Sequence, residues 1–303
     1  MYTDFFELKE KPFKLTPDPK FLFLSETHVE ALNHLIYGIK NREGFILITG
    51  DVGSGKTTLC RALLERIGPD TKTALIFNPM LSEEELLRAI LQDFGVAYSG
   101  KTKKELVDEL NAFLLKQLEE DKNVTLIIDE AQNLTSSLLE QIRLLSNLET
   151  EKEKLIQIIL LGQNELKEKL NLSALRQLNQ RIGVRYELNY LNREETKKYI
   201  HYRLTVAGSD GRVVFANSAL NRIFKYSKGV PRLINLVADR ALLSAHMQLS
   251  NKITNQLVDA GINSLKAREV ILPRTRWTTV TLLSVLVTLV SLFMVFRLVD
   301  GLK

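Results

Sequence analysis

The most informative segment of the sequence is GDVGSGKT, residues 50–57, which directly follows the apolar run FILIT at residues 45–49. It matches the pattern G-x-x-x-x-G-K-[S/T] at every fixed position. The glycines let consecutive backbone N–H groups turn inward around phosphate oxygens, and the helix that follows adds its positive N-terminal end. The stretch therefore predicts a strand, a phosphate-binding loop (the P-loop) and a helix, with a nucleotide bound at the loop.

Two side chains at the end of the P-loop have separate expected roles. We expect Lys56 to reach the β- and γ-phosphates of ATP, and Thr57 to place its hydroxyl on a Mg²⁺ ion. The residues expected to bind the nucleotide are Gly50, Asp51, Val52, Gly53, Ser54, Gly55, Lys56, Thr57 and Thr58.

A second motif, TLIIDEAQ at residues 125–132, ends another apolar run with two carboxylates. Asp129 is expected to hold the metal with its water shell, and Glu130 is expected to polarise the attacking water. The alternative is an acidic helix cap, because carboxylates also favour helix N-termini. Beside a complete P-loop, the pair favours nucleotide hydrolysis.

Short apolar runs alternate with helical patterns through the first two thirds of the chain. The runs are Phe45–Thr49, Thr73–Phe77, Val124–Ile128, Leu155–Leu161 and Val184–Leu188. This alternation predicts an α/β fold with a five-stranded parallel sheet covered on both faces. Beyond about residue 190 we expect only helices, at 193–207, 215–226, 231–249 and 253–267, which would form an all-helical second domain.

Composition and charge narrow the class of protein. The chain has 303 residues, 45% of them hydrophobic and 25% charged, which is typical of a globular protein. A net charge of +5 fits an anionic partner such as nucleotide, nucleic acid or lipid, and chooses none of them. A single cysteine, Cys60, excludes an intramolecular disulfide, and we expect it to be a packing residue in a reducing compartment.

An uncharged stretch, WTTVTLLSVLVTLVSLFMVF, occupies residues 277–296. A helix of this length spans about 30 Å, the thickness of a hydrocarbon core. A buried core helix is the alternative, although core helices of this size usually carry a polar stripe. Basic residues are more numerous before the stretch (Lys266, Arg268, Arg274 and Arg276) than after it (Arg297 and Lys303). We therefore expect a single membrane span with residues 1–276 in the cytoplasm.

The order of these motifs resembles that of AAA+ ATPases, with a P-loop, an extra strand, the Asp-Glu strand and a helical lid. The segments PFKLTPDPKFLFLSETHVEAL at 12–32 and GFILITGDVGSGKTTL at 44–59 resemble more narrowly the ExeA/GspA group of secretion ATPases. That group is similar to the MshM proteins and to the ATPases of exopolysaccharide or PEP-CTERM loci. The resemblance covers roughly residues 1–267.

The resemblance implies further site residues. Gln163, in LLGQNEL, falls where such proteins keep sensor 1, a polar group near the γ-phosphate or the water, and Asn164 is the near alternative. Arg232, in GVPR at 229–232, resembles sensor 2, a lid arginine that reaches the phosphates.

It also implies a residue that acts between subunits. Arg181 resembles the arginine finger that enters a neighbouring subunit's site, with Arg176 as its rival and a surface arginine as the plain alternative. We expect Arg181 to lie after the fifth strand. His28 either lies near the adenine or packs inside the fold.

The resemblance implies a homo-oligomer in the bacterial inner membrane, with ATP and Mg²⁺ as cofactors and envelope assembly proteins as partners. Its expected function is to couple ATP hydrolysis to a secretion, pilus or exopolysaccharide export system. An ATP-dependent DNA-binding switch is the alternative, although the sequence shows no appended helix-turn-helix or zinc module. A scaffold without turnover is a third possibility, and the intact Glu130 argues against it. Longer members of the group continue into a peptidoglycan-binding region, so we do not expect these residues to bind the cell wall.

The expected organisation has six parts, each with its own composition. Residues 1–27 form an N-terminal proline and aromatic segment that packs on the nucleotide site, 28–190 the ATPase core and 191–268 the helical lid. Residues 269–276 form a basic linker, 277–296 the membrane helix and 297–303 a short tail.

Overall fold

A five-stranded parallel sheet forms the centre of the ATPase core. The computed structural model describes residues 2–16, 18–77, 81–100, 102–151 and 153–270. The strands are β1 (Phe45–Thr49), β2 (Thr71–Ile76), β3 (Asn123–Ile128), β4 (Gln157–Gly162) and β5 (Ile182–Glu187). They pair in the order β2-β3-β4-β1-β5, and every pairing is parallel. The predicted α/β class and five-stranded parallel sheet are thus confirmed.

Helices cover both faces of this sheet because successive strand residues point to opposite sides. Ile46 and Ile48 of β1 pack in the same hydrophobic cluster as α2 and α3, whereas Leu47 packs in the cluster that contains α4, α5 and α6. The helices of the core are α2 (Glu26–Lys40), α3 (Lys56–Arg66), α4 (Glu83–Asp93), α5 (Lys103–Glu119), α6 (Ser136–Leu145), α7 (Asn164–Leu170) and α8 (Arg176–Arg181). Cys60, on α3, is buried in the first of these clusters.

The sheet order places the two chemical motifs side by side. Strand β4 lies between β3 and β1, so the segments that leave the carboxyl ends of all three strands meet at one edge. Those segments begin at Gly50 after β1, at Asp129 after β3 and at Gln163 after β4. In open parallel sheets, ligands bind at this edge.

The lid consists mainly of four helices, α9 (Arg193–Val206), α10 (Asn217–Ser227), α11 (Pro231–Met247) and α12 (Asn255–Val270). The expectation that it is all-helical is wrong in one respect, because β6 (Val214–Phe215) and β7 (Lys252–Ile253) form a short parallel pair. Phe215 and Ile253 are aligned and buried, so two loops close over the lid core. Two residues are too few to show a strand period in the sequence.

The N-terminal segment, which begins with α1 (Tyr2–Phe5), packs mainly on the lid, and Leu22 and Leu24 near its end pack against the cluster that contains α2, α3 and one face of the sheet. The aromatic rings of Phe6, Phe13 and Phe21 are buried in the lid's hydrophobic core. Arg203 of α9 fastens the segment. Its guanidinium carbon lies 4.6 Å from the Phe21 ring centroid, and its Nε donates to the Pro12 carbonyl at 2.5 Å. A buried cation held by a ring face and a carbonyl fixes this segment beside the cleft described below.

Within the described residues, the helices are too short or too polar to cross a bilayer. The stretch at 277–296 that we expect to span the membrane lies outside the described residues, as do 271–276 of the expected linker.

Candidate functional site

A cleft of about 470 Å³ opens at the carboxyl edge of the sheet, between the core, the lid and the N-terminal segment. Of the predicted site residues, Val52, Gly53, Gly55, Lys56, Thr57, Thr58, Glu130, Gln163 and Arg232 line it. Three more predicted residues lie directly behind the lining. Lys56 donates hydrogen bonds to the carbonyls of Gly50 and Asp51, and Thr57 donates one to Asp129. The N-terminal segment contributes Lys14, Leu22 and Phe23 to the wall, and the lid contributes Asn235.

The backbone of the P-loop requires its glycines. Gly53 has φ of +79° and Gly55 has φ of +102°, both in the region that side chains disfavour. A Cβ atom at Gly55 would lie 2.4 Å from Nε2 of His28, so no larger residue fits there. Helix α3 begins at the next residue, Lys56, and directs its N-terminal N–H groups at the cleft.

The Lys56 side chain is held by the backbone of the P-loop. Its ammonium donates to the carbonyls of Gly50 at 2.8 Å and Asp51 at 3.1 Å, and the residue is only 6% exposed. Burial lowers the pKa of this ammonium, and the carboxylates of Glu130 and Asp129 oppose that shift. A buried cation whose direct partners are neutral carbonyls is suited to receive phosphate oxygens.

Thr57 and Asp129 bring two oxygen ligands together. The Thr57 hydroxyl donates to Oδ2 of Asp129 at 2.9 Å, and Asp129 is 3% exposed. Burial raises the pKa of the Asp129 carboxyl, although bonds from the backbone N–H of Glu130 and from Thr57 oppose this. A hydroxyl and a buried carboxylate at this spacing are the hard oxygen ligands that Mg²⁺ prefers.

Glu130 stands in an unusual backbone conformation, with φ of 52°. Left-handed backbone is uncommon for residues other than glycine and is often found at functional sites. Its Oε2 accepts hydrogen bonds from Nε2 of Gln132 at 2.5 Å and from Nε2 of Gln163 at 3.2 Å. The carboxylate therefore faces the cleft with one oxygen fixed by two amides.

The two candidates for sensor 1 make different contacts. Gln163 lies between β4 and α7, lines the cleft and bonds Glu130. Asn164, the first residue of α7, donates from Nδ2 to Oδ1 of Asp51 at 2.7 Å. The structure thus brings Gln163 to the carboxylate and joins Asn164 to the side of the P-loop.

The candidate sensor 2 sits where the lid meets the P-loop. Pro231 starts α11, and Arg232 follows it with an exposed side chain that lines the cleft. The lid is close to the loop here, since a Cβ atom at Gly53 would lie 3.2 Å from Cγ1 of Val230. Arg232 is therefore placed to approach a nucleotide bound at the P-loop.

Arg181 lies outside the cleft. It is the last residue of α8 and directly precedes β5, so the expectation that it follows the fifth strand is wrong. Its Nη1 donates to Oγ of Ser146 at 2.9 Å and to Oδ1 of Asn147 at 2.5 Å. Arg176 begins α8 and is exposed, and no hydrogen bond or ion pair is found for it among the described residues.

His28 supports the P-loop from the core side and also reaches the cleft wall. It is 3% exposed, and its Nδ1 is 2.6 Å from Oγ of Ser25, the N-cap of α2. Burial lowers the pKa of its imidazole to about 4, so the ring is neutral at physiological pH. These contacts agree with the packing interpretation of His28 that the sequence left open.

Gln132 is the site residue that sequence reasoning missed. It follows Glu130 by two positions in the same turn. The nitrogen of its side-chain amide donates a hydrogen bond to Glu130, and the oxygen accepts one from the backbone N–H of Gln163. The signal was present, since an amide closely following two strand-end carboxylates is a candidate to orient them.

The groups present fit a magnesium nucleotide. The P-loop supplies a helix N-terminus and a buried ammonium for phosphate, and Thr57 with Asp129 supplies oxygens for the metal. The buried hydroxyl of Ser54, within the loop, has no hydrogen-bond partner in the described part of the chain.

Comparison with known proteins agrees with this geometry. Residues 39–170 match the family model described as an AAA domain. The chain is 45% identical over 271 residues, 89% of its length, to General secretion pathway protein A of Aeromonas hydrophila. The matched region is 48% of that protein, so this chain spans about half of its length.

Solved structures share the fold at low sequence identity. The ORC2 protein of Aeropyrum pernix, solved as ADPNP-ADP complexes, superposes with a TM-score of 0.60 at 19% identity, over 84% of this chain and 71% of that one. Drosophila ORC bound to DNA gives a TM-score of 0.61 at 16% identity, over 86% and 65%. At these identities the likeness shows the fold alone.

Proposed function

We propose that this chain, whose residues 39–170 match an AAA domain and which is similar to General secretion pathway protein A, hydrolyses ATP and couples the turnover to an envelope export machine. The export machine is of the secretion, pilus or exopolysaccharide kind. The observation that carries the ATPase proposal is that Lys56, Thr57 and Glu130 line one cleft, with Asp129 directly behind it and bonded to Thr57.

The proposed chemistry follows from these residues. Lys56 exchanges its carbonyl partners for β- and γ-phosphate oxygens, which the P-loop N–H groups also bind. Thr57 and Asp129 would hold a Mg²⁺ ion, which supplies positive charge to the phosphates when bound. Glu130 accepts a proton from the attacking water through its free carboxylate oxygen. Gln163 orients that water or the γ-phosphate beside it.

Coupling to a partner requires that the nucleotide alter the shape of the protein. The lid is the proposed moving part, since Arg232 on α11 faces the cleft and Val230 contacts the P-loop. Gain or loss of the γ-phosphate would change the attraction between Arg232 and the core, and the lid would shift with it.

We propose that the chain is anchored in the bacterial inner membrane with its ATPase core in the cytoplasm. The support is the uncharged stretch at 277–296 and its basic N-terminal flank. The full chain should then stay with membranes during alkaline carbonate extraction, whereas a chain ended before Trp277 should be released.

The orientation of the anchored chain in the membrane is tested by protease accessibility. Protease added outside intact spheroplasts should leave residues 1–276 uncut, because the cytoplasmic side is protected. Digestion of the ATPase core under those conditions would overturn the orientation, and carbonate release of the full chain would overturn the anchor.

Capture of partners tests the coupling itself. Crosslinking in native membranes is expected to capture envelope assembly proteins with Glu130→Gln plus ATP, because this variant should remain in the ATP-bound state. Lys56→Ala is the matched control that should not enter that state. Equal capture by both variants contradicts nucleotide-controlled coupling.

The same experiment distinguishes the export proposal from the alternative of a DNA-binding switch. Complexes that disappear after nuclease treatment would favour a DNA-binding switch, whereas nuclease-resistant complexes support the export proposal. The likeness to DNA-bound ORC is a likeness of fold and does not favour the alternative.

A further inference from the structure

We propose that Gln132 is a positioning residue that holds Glu130 in the orientation needed to accept a proton from the attacking water. This inference rests on the proposed ATPase function and adds a residue to it. Gln132 does not line the cleft, whereas Glu130 and Gln163 do. Any effect of Gln132 on turnover must therefore pass through the residues that it contacts.

The orientation of the Gln132 amide is settled by its partners. Its Oε1 accepts a hydrogen bond from the backbone N–H of Gln163 at 3.0 Å. Because a backbone N–H can only donate, the oxygen must face Gln163 and the NH₂ group must face Glu130. The amide then donates to Oε2 of Glu130 at 2.5 Å.

The turn that carries Gln132 is itself fastened. The ammonium of Lys169, on α7, donates to the carbonyls of Gln132 at 2.6 Å and Leu134 at 2.8 Å. Gly162 leaves room for the side chain, since a Cβ atom there would lie 3.2 Å from Oε1 of Gln132. Gln132 is thus held at its backbone and at both ends of its amide.

The contacts leave the two oxygens of Glu130 unequal. Oε2 accepts from Gln132 and Gln163, while Oε1 has no hydrogen-bond partner within the described residues. An oxygen saturated by two donors is a poor proton acceptor, so the free Oε1 is the one that takes the proton from water. Gln132 thereby selects which oxygen faces the reaction and limits rotation of the carboxylate.

The test uses two variants of Gln132 in the full chain. Gln132→Leu removes both hydrogen bonds. Gln132→Glu has the same shape and keeps an acceptor for the Gln163 N–H, but it places a carboxylate instead of a donor against Glu130. We expect both to lower kcat about 10- to 100-fold, because a small misplacement of a reacting group costs that much. KM and the affinity for a fluorescent ATP analogue should stay within about twofold, since Gln132 does not touch the nucleotide cleft.

A matched control comes from Gln141, a buried glutamine outside the site. Gln141 of α6 donates to the Glu83 carbonyl at 3.1 Å, away from the cleft. Gln141→Leu should leave kcat of the folded protein unchanged. Equal kcat losses in Gln141→Leu and Gln132→Leu would show a general packing effect and would overturn the inference.

A double-mutant cycle decides whether Gln132 acts through Glu130. In the Glu130→Gln background, Gln132→Leu should lower single-turnover hydrolysis by less than about twofold, because the carboxylate it positions is gone. A full additional loss in that background, or wild-type kcat for Gln132→Glu, would overturn the inference. Failure of the ATPase proposal has a different signature, since the parent chain itself would then release no more phosphate than Lys56→Ala.

Discussion

Glu130→Gln is expected to lower ATP turnover by about 10²–10⁴-fold, the range for loss of a general base, while Mg-ATP binding is retained. Glutamine keeps the size of the side chain and can still accept a hydrogen bond from Gln132, but it cannot take a proton from water. The measurement is phosphate release at saturating ATP, together with the Kd of a fluorescent ATP analogue.

Lys56→Ala is the control that separates chemistry from binding. The Lys56 ammonium is buried between the P-loop carbonyls, so its removal deletes the cation that the phosphates would meet. Nucleotide binding should be lost in this variant and kept in Glu130→Gln. Equal turnover by Glu130→Gln and the parent would remove Glu130 from the catalytic role.

The sheet and the P-loop could be predicted because their signals are local. An apolar run followed by glycines, Lys56 and Thr57 forms a strand, a loop and a helix within 22 consecutive residues, 45–66. The five predicted strands agree with the observed strands to within two residues at every end, since buried strands are continuous apolar runs. The pair β6 and β7 was missed because two residues carry no period.

Contacts across the sheet edge could not be predicted in the same way. Gln132 and Gln163 are 31 residues apart in sequence and become neighbours only because β4 lies beside β3. The sequence places each amide after a strand but does not show which pairs touch. The same limit applies to Arg203, whose partners Pro12 and Phe21 lie more than 180 residues away.

Arg181→Ala is expected to lower turnover by about 10³-fold, the lower end for an arginine finger, while ATP affinity changes little. The geometry of β5 provides the reason. Glu187, at the end of β5, is paired with Thr49 just before the P-loop, whereas Arg181 precedes the start of the strand. The six residues of β5 separate Arg181 from the P-loop edge of the sheet by about 20 Å, so Arg181 cannot reach a nucleotide bound by its own subunit.

If Arg181 acts on a nucleotide, that nucleotide must belong to a neighbouring subunit, so this prediction requires a homo-oligomer. Specific activity should rise with protein concentration, because an isolated subunit lacks the finger. Anchoring in a membrane would favour assembly by confining subunits to a surface. Activity per subunit that stays flat on dilution would contradict this.

Mixing two inactive variants gives the sharpest result. Glu130→Gln subunits supply an intact Arg181, and Arg181→Ala subunits supply an intact Glu130, so some interfaces in the mixture contain both groups. Partial activity should return on mixing, measured as phosphate release. Arg176→Ala is the matched control from the same helix and should keep most activity, because its exposed side chain shows no polar partner in the described structure. If the mixture recovers nothing and Arg176→Ala is the inactive variant, then the finger is Arg176, and Arg181 serves to hold the end of α6 through Ser146 and Asn147.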